Sequence, residues 1–184
     1  MPVAVRRYRE LVPDEVAEWE RLVRKAYPPG EVRLGAELRW AGLDAETDYL
    51  IRFHEDAELR ACAWVTKRTA TVSDHELRVA GIRGVVTDRG HRRRGHGRAV
   101  MERAHELMRS FADCEVALLF SSVMAVPFYE SLGWRAVNGP VTCEQPGGRI
   151  DYTRALPTAP VMALALHRAA ELPFGPIHVH GFPW

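Results

Sequence analysis

Apolar residues in the first half of the chain recur with two different periods. Spacings of three and four residues after Asp14 predict a helix that ends at the Pro-Pro-Gly sequence of residues 28–30. Alternating and continuous apolar runs predict strands at residues 3–7, 49–54, 59–67 and 77–87. Turn-forming residues at 55–56 and 73–74 separate the last three strands, which predicts an antiparallel meander.

The second half of the chain continues with helices and strands in alternation. Helical spacing from Arg98 onwards is followed by an apolar strand at 116–120, and a further helix is predicted at 125–132, ended by Gly133. Later strands are predicted near residues 135–137 and 161–167. The segment 140–160 is rich in proline and glycine and is predicted to be looped.

A long polar segment at residues 31–48 has no clear period. The pattern allows a short helix at 36–41 and otherwise predicts a loop. Long loops in compact proteins often carry function, so we expect this segment to form a wall of the substrate site.

Composition narrows the class of protein. The chain has 184 residues, 47% of them apolar, and a formal charge of +1, which predicts one domain over residues 1–184 and gives no reason to expect nucleic acid or an anionic membrane as partner. No apolar run approaches the roughly 20 residues of a membrane span, and no signal peptide is recognisable, so we expect a soluble cytoplasmic protein. The three cysteines form no CxxC pair, which argues against a disulfide framework or a zinc site.

The most informative segment joins the strand ending at Thr87 to the following helix. Positions 89–98 hold five arginines, and Gly95 and Gly97 stand where the helix is predicted to begin. Glycines let backbone N–H groups approach a ligand closely, and a helix N-terminus favours negative charge, so this pattern predicts a pyrophosphate site. The segment lacks the third glycine of a dinucleotide-binding motif and the lysine of a P-loop, which excludes both of those motifs.

Two signatures in this chain resemble those of the GNAT superfamily of N-acetyltransferases. Residues 92–97 (Arg-Arg-Arg-Gly-His-Gly) resemble the family's (Arg/Gln)-x-x-Gly-x-(Gly/Ala) sequence, and residues 126–134 (Val-Pro-Phe-Tyr-Glu-Ser-Leu-Gly-Trp) resemble its second signature. The resemblance implies an α/β fold in which helices flank a mixed, mostly antiparallel sheet, with a splayed strand pair that holds CoA. It implies acetyl-CoA as cosubstrate, and the chemistry requires no metal.

The same resemblance implies which residues bind and react. The residues implied in cosubstrate binding are Val85, Val86, Thr87, Arg92, Arg93, Arg94, Gly95, His96, Gly97 and Arg98. The backbone N–H of Val85 is implied to stabilise the oxyanion, and Tyr129 is implied to donate a proton to the departing thiolate.

The general base stays open at this stage. Many GNAT enzymes have a glutamate on the strand just before the oxyanion donor, where this chain has Arg83, which cannot accept a proton. The alternatives are a water wire to backbone carbonyls or one of the side chains of Glu31, Glu37, Asp44, Asp48 and His54. A metal is not expected, since the pair His178 and His180 alone does not complete a site.

The acceptor is suggested by a looser resemblance to aminoglycoside 2'-N-acetyltransferases. It rests on residues 133–140 (Gly-Trp-Arg-Ala-Val-Asn-Gly-Pro) and on the terminal Trp184, and it implies that Arg83, Gly84, Glu31, Glu37 and Trp184 bind the acceptor. Those enzymes surround a polycationic sugar with carboxylates, whereas Arg83 stands in place of an acid. An arginine suits an acceptor with a carboxylate as well as an amine, such as kasugamycin. Because side chains alternate across a strand, Arg83 is expected on the same face as Val85.

Other functions are compatible with the same motifs. A protein, peptide or polyamine N-acetyltransferase would present an open groove, and a non-catalytic acyl-CoA sensor would not need Tyr129. The sequence therefore predicts an enzyme acting on a small-molecule amine, with no nucleic acid or membrane partner, and it is compatible with a homodimer.

Overall fold

A computed structural model of the chain describes residues 3–27, 38, 40–167, 172 and 175–184. The described residues form two compact units. The first unit takes its residues from Met1–Arg33, Leu43–Thr66 and Ile82–Leu107, and the second from Leu34–Gly42, Lys67–Gly81 and Met108–Trp184.

The first unit contains the helices and strands that were predicted for its part of the sequence. In chain order its elements are β1 (Val3–Arg7), α1 (Pro13–Ala26), β2 (Tyr49–Glu55), the first part of β3 (Glu58–Val72), the last part of β4 (His75–Thr87) and most of α2 (His96–Arg109). Strand β1 pairs antiparallel with β2, and β2 pairs antiparallel with β3. The order β1-β2-β3-β4 confirms the predicted meander.

Helix α1 packs its apolar face into the core of this unit. Pro13 occupies the first turn, where its missing N–H costs no hydrogen bond, and the N–H of Val12 donates to Glu15 Oε2 at 3.2 Å. Two residues of α1 belong to the buried cluster of this unit, which consists of Leu22, Ala26, Leu50, Leu59, Cys62, Trp64 and Val86. Because Val86 belongs to this cluster, the core fixes the strand that leads into the basic loop.

The second unit is also built on a sheet. In chain order it adds β5 (Val116–Phe120), α3 (Val126–Glu130), β6 (Arg135–Ala136), β7 (Val141–Gln145), β8 (Gly148–Asp151), α4 (Tyr152–Ala155), β9 (Val161–Ala165) and β10 (Ile177–Val179). The strand order is β6-β9-β5-β4-β3-β10-β7-β8. Strand β10 is antiparallel to β3 and parallel to β7, whereas β9 is antiparallel to both β5 and β6. The predicted mixed, mostly antiparallel sheet is confirmed.

For the second unit, one prediction is wrong and one strand was missed. Residues 140–160 were predicted to be looped, but they contain β7, β8 and α4. Their prolines and glycines mark only the ends of these elements, while Val141 and Cys143 alternate inward on β7. Strand β10 was not predicted, because three residues are too few for a period to be recognised. The short helix predicted at 36–41 falls largely outside the described residues, and its described positions are not helical.

The C-terminal residues are hydrogen-bonded to several other segments of the second unit. Ile177 N–H donates to Pro140 O at 3.0 Å, His180 N–H donates to Thr69 O at 3.1 Å, and Ala41 N–H donates to Pro183 O at 2.7 Å.

Gly139 lies directly before Pro140 and allows a close approach between two backbone segments. It has φ +152°, and a Cβ built on it would lie 2.9 Å from the carbonyl oxygen of Gly175. A side chain at position 139 would therefore push two backbone segments apart.

We expect Gly139→Ala to destabilise the protein because the new methyl group meets a backbone oxygen that cannot rotate away. Gly148→Ala is the matched control, since Gly148 also has a positive φ of +113° but its Cβ would meet nothing within 4 Å. The control should lower the free energy of unfolding by about 1 kcal/mol, and Gly139→Ala by about 1 to 3 kcal/mol more. Urea unfolding measures both, and equal losses would show that the close approach is not a constraint.

Candidate active site

The strand that enters the basic loop is irregular near its end. Gly84 has φ +56°, and a Cβ on it would lie 3.4 Å from Cδ1 of Trp64. A left-handed residue interrupts regular strand geometry, as in a β-bulge, so the side chains before and after it need not alternate. The expectation that Arg83 and Val85 share one face assumed regular alternation, and it stays a prediction. Val85 and Thr87 are half-buried, whereas Val86 is in the core.

A buried carboxylate lies at the start of the loop. Asp88 follows β4 directly, and its residue is only 2% exposed. Its Oδ1 accepts a hydrogen bond from Gly90 N–H at 3.0 Å, and its Oδ2 accepts one from Lys25 Nζ at 2.7 Å. Its backbone N–H donates to Arg60 O at 2.8 Å. Asp88 thus connects the loop to α1 and to β3.

The surroundings of Asp88 keep it ionised. Burial by itself raises the pKa of Asp88, but hydrogen bonds from Lys25 and the Gly90 N–H, with the charges of Lys25 and His91, lower that pKa to about 2. The carboxylate therefore carries its negative charge at any pH near neutrality.

The arginines of the loop are at the surface. Arg92, Arg93, Arg94 and Arg98 are all exposed, and Arg93 adopts a left-handed φ of +63°. Helix α2 begins directly after Gly95, whose carbonyl oxygen accepts from Ala99 N–H at 2.9 Å. The first N–H groups of a helix have no partner within the helix, and its dipole favours an anion there. Exposed guanidinium groups beside such an end fit the pyrophosphate of CoA.

His96, one of the residues implied in cosubstrate binding, turns its side chain inward. Its imidazole stacks on Phe53 at 4.4 Å between ring centroids, and its Nε2 lies 3.4 Å from Glu55 Oε1. The residue is only 5% exposed. Any contribution of His96 to anion binding is therefore expected from its backbone N–H.

Tyr129 lies on α3 in the second unit. The residue is 8% exposed, and its ring centroid lies 5.2 Å from that of Phe128 and 6.4 Å from that of Trp134. Tyr129 is more buried than its neighbour Phe128. A buried hydroxyl that reaches a reacting sulfur would transfer its proton away from bulk water.

The terminal Trp184 belongs to an aromatic cluster in the second unit. Its ring lies edge-on to Phe120 at 5.3 Å, Phe120 lies 4.7 Å from Tyr152, and Trp40 lies 6.0 Å from Phe120. Trp184 is 3% exposed, while Trp40 and Phe120 are half-buried. We call Trp40, Phe120, Tyr152 and Trp184 the aromatic cluster. Trp184 is therefore packed into the core of the second unit.

The candidate general bases that the structure describes, Asp44, Asp48 and His54, each make hydrogen bonds to other residues of the protein. Asp48 is buried, and its Oδ2 accepts from Asp44 N–H at 2.9 Å, while Asp44 Oδ1 accepts from the N–H groups of Glu46 and Thr47, each at 2.9 Å. His54 Nε2 lies 3.1 Å from Glu18 Oε2.

Two further candidate acids, Glu31 and Glu37, lie outside the described residues. The choice of base, and the contribution of these two glutamates to acceptor binding, therefore stay predictions.

The sequence reading missed Asp88 together with its partners Lys25 and Arg60. One signal was available, because Asp88 is the acidic residue directly before a segment, residues 89–98, that contains five arginines. A short acidic side chain between a strand and a tight turn commonly binds the N–H groups that follow it.

The pair His178 and His180 was not expected to complete a metal site. Within the described ranges, no three His, Cys, Asp or Glu side chains are grouped so as to hold a metal ion. His178 Nδ1 lies 3.0 Å from Thr142 Oγ1, and His180 Nε2 lies 2.8 Å from Thr71 Oγ1. None of the helices described is long and apolar enough to cross a membrane.

Several solved structures share this fold. Escherichia coli ElaA is 17% identical with a TM-score of 0.62, covering 88% of this chain and 97% of its own. The ribosomal-protein-S18-alanine N-acetyltransferase of E. coli is 18% identical with a TM-score of 0.58, covering 94% and 99%. E. coli YhbS, solved in complex with CoA, is 12% identical with a TM-score of 0.60, covering 98% and 91%. Identities this low establish the fold alone.

Sequence comparison establishes the family. No curated protein matches the chain by sequence. The family model described as an acetyltransferase (GNAT) domain matches residues 7–137, which include the basic loop and both signatures. The predicted GNAT fold and the acetyl-CoA-dependent N-acetyltransferase activity are therefore confirmed at the level of the family, and the chain belongs to the GNAT acetyltransferases.

Proposed function

We propose that this enzyme acetylates an amine of a small molecule, namely the 2'-amino group of an aminoglycoside that also carries a carboxylate, as kasugamycin does. The observation that carries this proposal is the anchored C-terminal tail. The residues that resemble aminoglycoside 2'-N-acetyltransferases lie within 133–140 and at Trp184, and both belong to the core of the second unit through Val137 and the aromatic cluster.

The aromatic cluster offers a surface for a sugar or another flat apolar group. Trp40 and Phe120 are partly exposed, and both contact the buried ring of Tyr152. Aromatic faces stack on such groups, and an indole also offers one N–H donor. The cluster therefore supports a small-molecule acceptor better than it supports a fully extended peptide, which is recognised mainly through its backbone.

The charge of the acceptor follows from Arg83. Related enzymes that bind polycationic aminoglycosides use acids, whereas a guanidinium repels a polycation and pairs with a carboxylate in a charge-assisted bond. An acceptor with one amine and one carboxylate satisfies both the reaction and this side chain.

The reaction needs three groups besides the two substrates. The neutral amine attacks the thioester carbonyl and forms a C–N bond, and the negative charge on the carbonyl oxygen is stabilised by the backbone N–H of Val85. The C–S bond then breaks, and the thiolate takes its proton from the hydroxyl of Tyr129. A base or a water chain removes the proton that the amine nitrogen loses. These roles are proposals based on the family signatures.

The loop assignment predicts that Gly97→Val weakens CoA binding. Gly97 is the second residue of α2, and a β-branched side chain there would occupy the space that a pyrophosphate must approach. We expect a loss of CoA affinity of about 10-fold or more, because charge-assisted contacts to the anion would be lost. Ala99→Val, two residues further along α2, adds a similar side chain and is the control. Calorimetry with CoA measures both, and wild-type affinity in Gly97→Val would refute the assignment.

The acid role of Tyr129 predicts that Tyr129→Phe slows the chemical step. The phenyl ring keeps the contacts with Phe128 and Trp134, and only the proton donor is lost. We expect kcat to fall by about 10- to 1000-fold with little change in CoA affinity. Tyr49→Phe, at the start of β2, is the control and should keep wild-type kcat. If kcat is unchanged while chemistry limits the rate, Tyr129 is a packing residue.

The proposed acceptor predicts a selective effect of Arg83→Ala. For kasugamycin, kcat/KM should fall by about 10- to 100-fold, since a charge-assisted bond to the carboxylate is lost. For a polycationic 2'-amino aminoglycoside, kcat/KM should stay the same or rise, because a like charge is removed. Arg78→Ala is the control, as Arg78 lies on the same strand and its Nε is 3.8 Å from Asp113 Oδ2.

Steady-state kinetics with both acceptors decides the question. Equal losses on the two acceptors would assign Arg83 a structural role. A wild-type preference for the polycation, or turnover of peptides alone, would overturn the proposed acceptor.

A further inference from the structure

The loop that fits the CoA pyrophosphate concentrates positive charge in a short stretch. Between positions 88 and 98 the chain has five arginines and two histidines, and Asp88 is the one acidic residue in that range. Like charges this close repel each other when no anion is bound. The loop therefore needs a source of order other than its ligand if it is to be folded before the ligand arrives.

Contacts between Asp88 and the residues that follow it hold the loop backbone in one conformation. Its Oδ1 receives the N–H of Gly90, its backbone oxygen receives the N–H of His91 at 2.9 Å, and His91 Nδ1 lies 3.5 Å from Oδ2. Two consecutive loop residues, Gly90 and His91, are thus held by Asp88, which fixes the first turn of the loop.

The same carboxylate is held by two cations that lie outside the loop. Lys25 Nζ on α1 lies 2.7 Å from Oδ2, and Arg60 Nη1 on β3 lies 3.4 Å from it. The loop has a second connection to α1, because Arg89 Nε donates to Ala26 O at 3.1 Å. Helix α1 and strand β3 therefore set the position of Asp88, and Asp88 in turn sets the position of the loop backbone.

We propose that Asp88 is a positioning residue for the cosubstrate, which holds the phosphate loop in its anion-binding conformation before CoA binds. At 2% exposure the Asp88 residue is not available to contact the pyrophosphate, so it acts through the loop backbone. A loop that is already ordered loses less conformational entropy when it binds, and affinity rises accordingly. This inference concerns the CoA half of the reaction and holds for any acceptor.

The test compares two ligands that differ in the pyrophosphate. CoA contains the nucleotide and pyrophosphate, whereas pantetheine contains only the arm that carries the thiol. In Asp88→Ala, calorimetry should show a Kd for CoA raised by about 10-fold or more, as expected when a charged hydrogen-bond network is lost, and a Kd for pantetheine within about 2-fold of wild type. Amide hydrogen exchange of the free protein should be faster at residues 89–97 and unchanged in β2.

Two further variants make the result decisive. Asp113→Ala is the matched control, since Asp113 is also paired, with Lys67 Nζ at 2.6 Å, but belongs to the second unit. It should leave both Kd values unchanged. Lys25→Met removes one partner of Asp88 from a side chain that is 59% exposed, so it should not prevent folding. It should shift the Kd for CoA in the same direction by a smaller factor.

Some outcomes would overturn the proposal. If Asp88→Ala weakens CoA and pantetheine by the same factor, the residue supports the fold as a whole and does not position the loop. An unchanged Kd for CoA in both Asp88→Ala and Lys25→Met would also refute it. Because no acceptor is present in these measurements, they leave the proposed acceptor untouched whatever their result.

Discussion

A loop with five arginines must keep one backbone conformation against the repulsion between its own charges. In this protein the counter-charge is Asp88, which is buried at the base of the loop and held ionised by Lys25. Burying a carboxylate is costly unless it is paired and hydrogen-bonded, and this one is both. The start of α2, where we propose that the anion binds, thus follows a loop that is held by a buried ion pair, and the arginines of that loop are exposed.

Local patterns were sufficient to predict most of the fold. The first unit was predicted well because its helices and strands are long enough for their periods to be recognised, as in α1 and the long strands β3 and β4. The prediction failed for β7, β8 and β10, which have five residues or fewer. These strands exist because they pair with each other and with β3, and such long-range pairing leaves no periodic signal in a short segment.

The candidate site was predicted unevenly for a similar reason. The strand, basic loop and helix were predictable as a unit because glycines, arginines and a helix start are adjacent in the sequence, while pyrophosphate binding by this loop stays a prediction. The role of Asp88 was not, since its partners Lys25 and Arg60 are 63 and 28 residues away in the chain. The expected common face of Arg83 and Val85 relied on strand alternation, and the left-handed Gly84 between them shows why that rule needs the backbone geometry as well.

As proposed, acetyl-CoA is bound by residues that are contiguous in the sequence, whereas the acceptor is bound by residues that are distant in the sequence. The cosubstrate half uses a contiguous motif that a whole family shares, so the family match over residues 7–137 is enough to establish it. The acceptor half, as proposed, uses the aromatic cluster, in which Tyr152 and Trp184 lie beyond that match. Such a surface is assembled from Trp40, Phe120, Tyr152 and Trp184, which are distant in sequence, and a change at any one alters its shape without disturbing the loop. If the acceptor lies on this cluster as proposed, we expect substitutions in the cluster to change acceptor specificity while the residues of the basic loop stay the same.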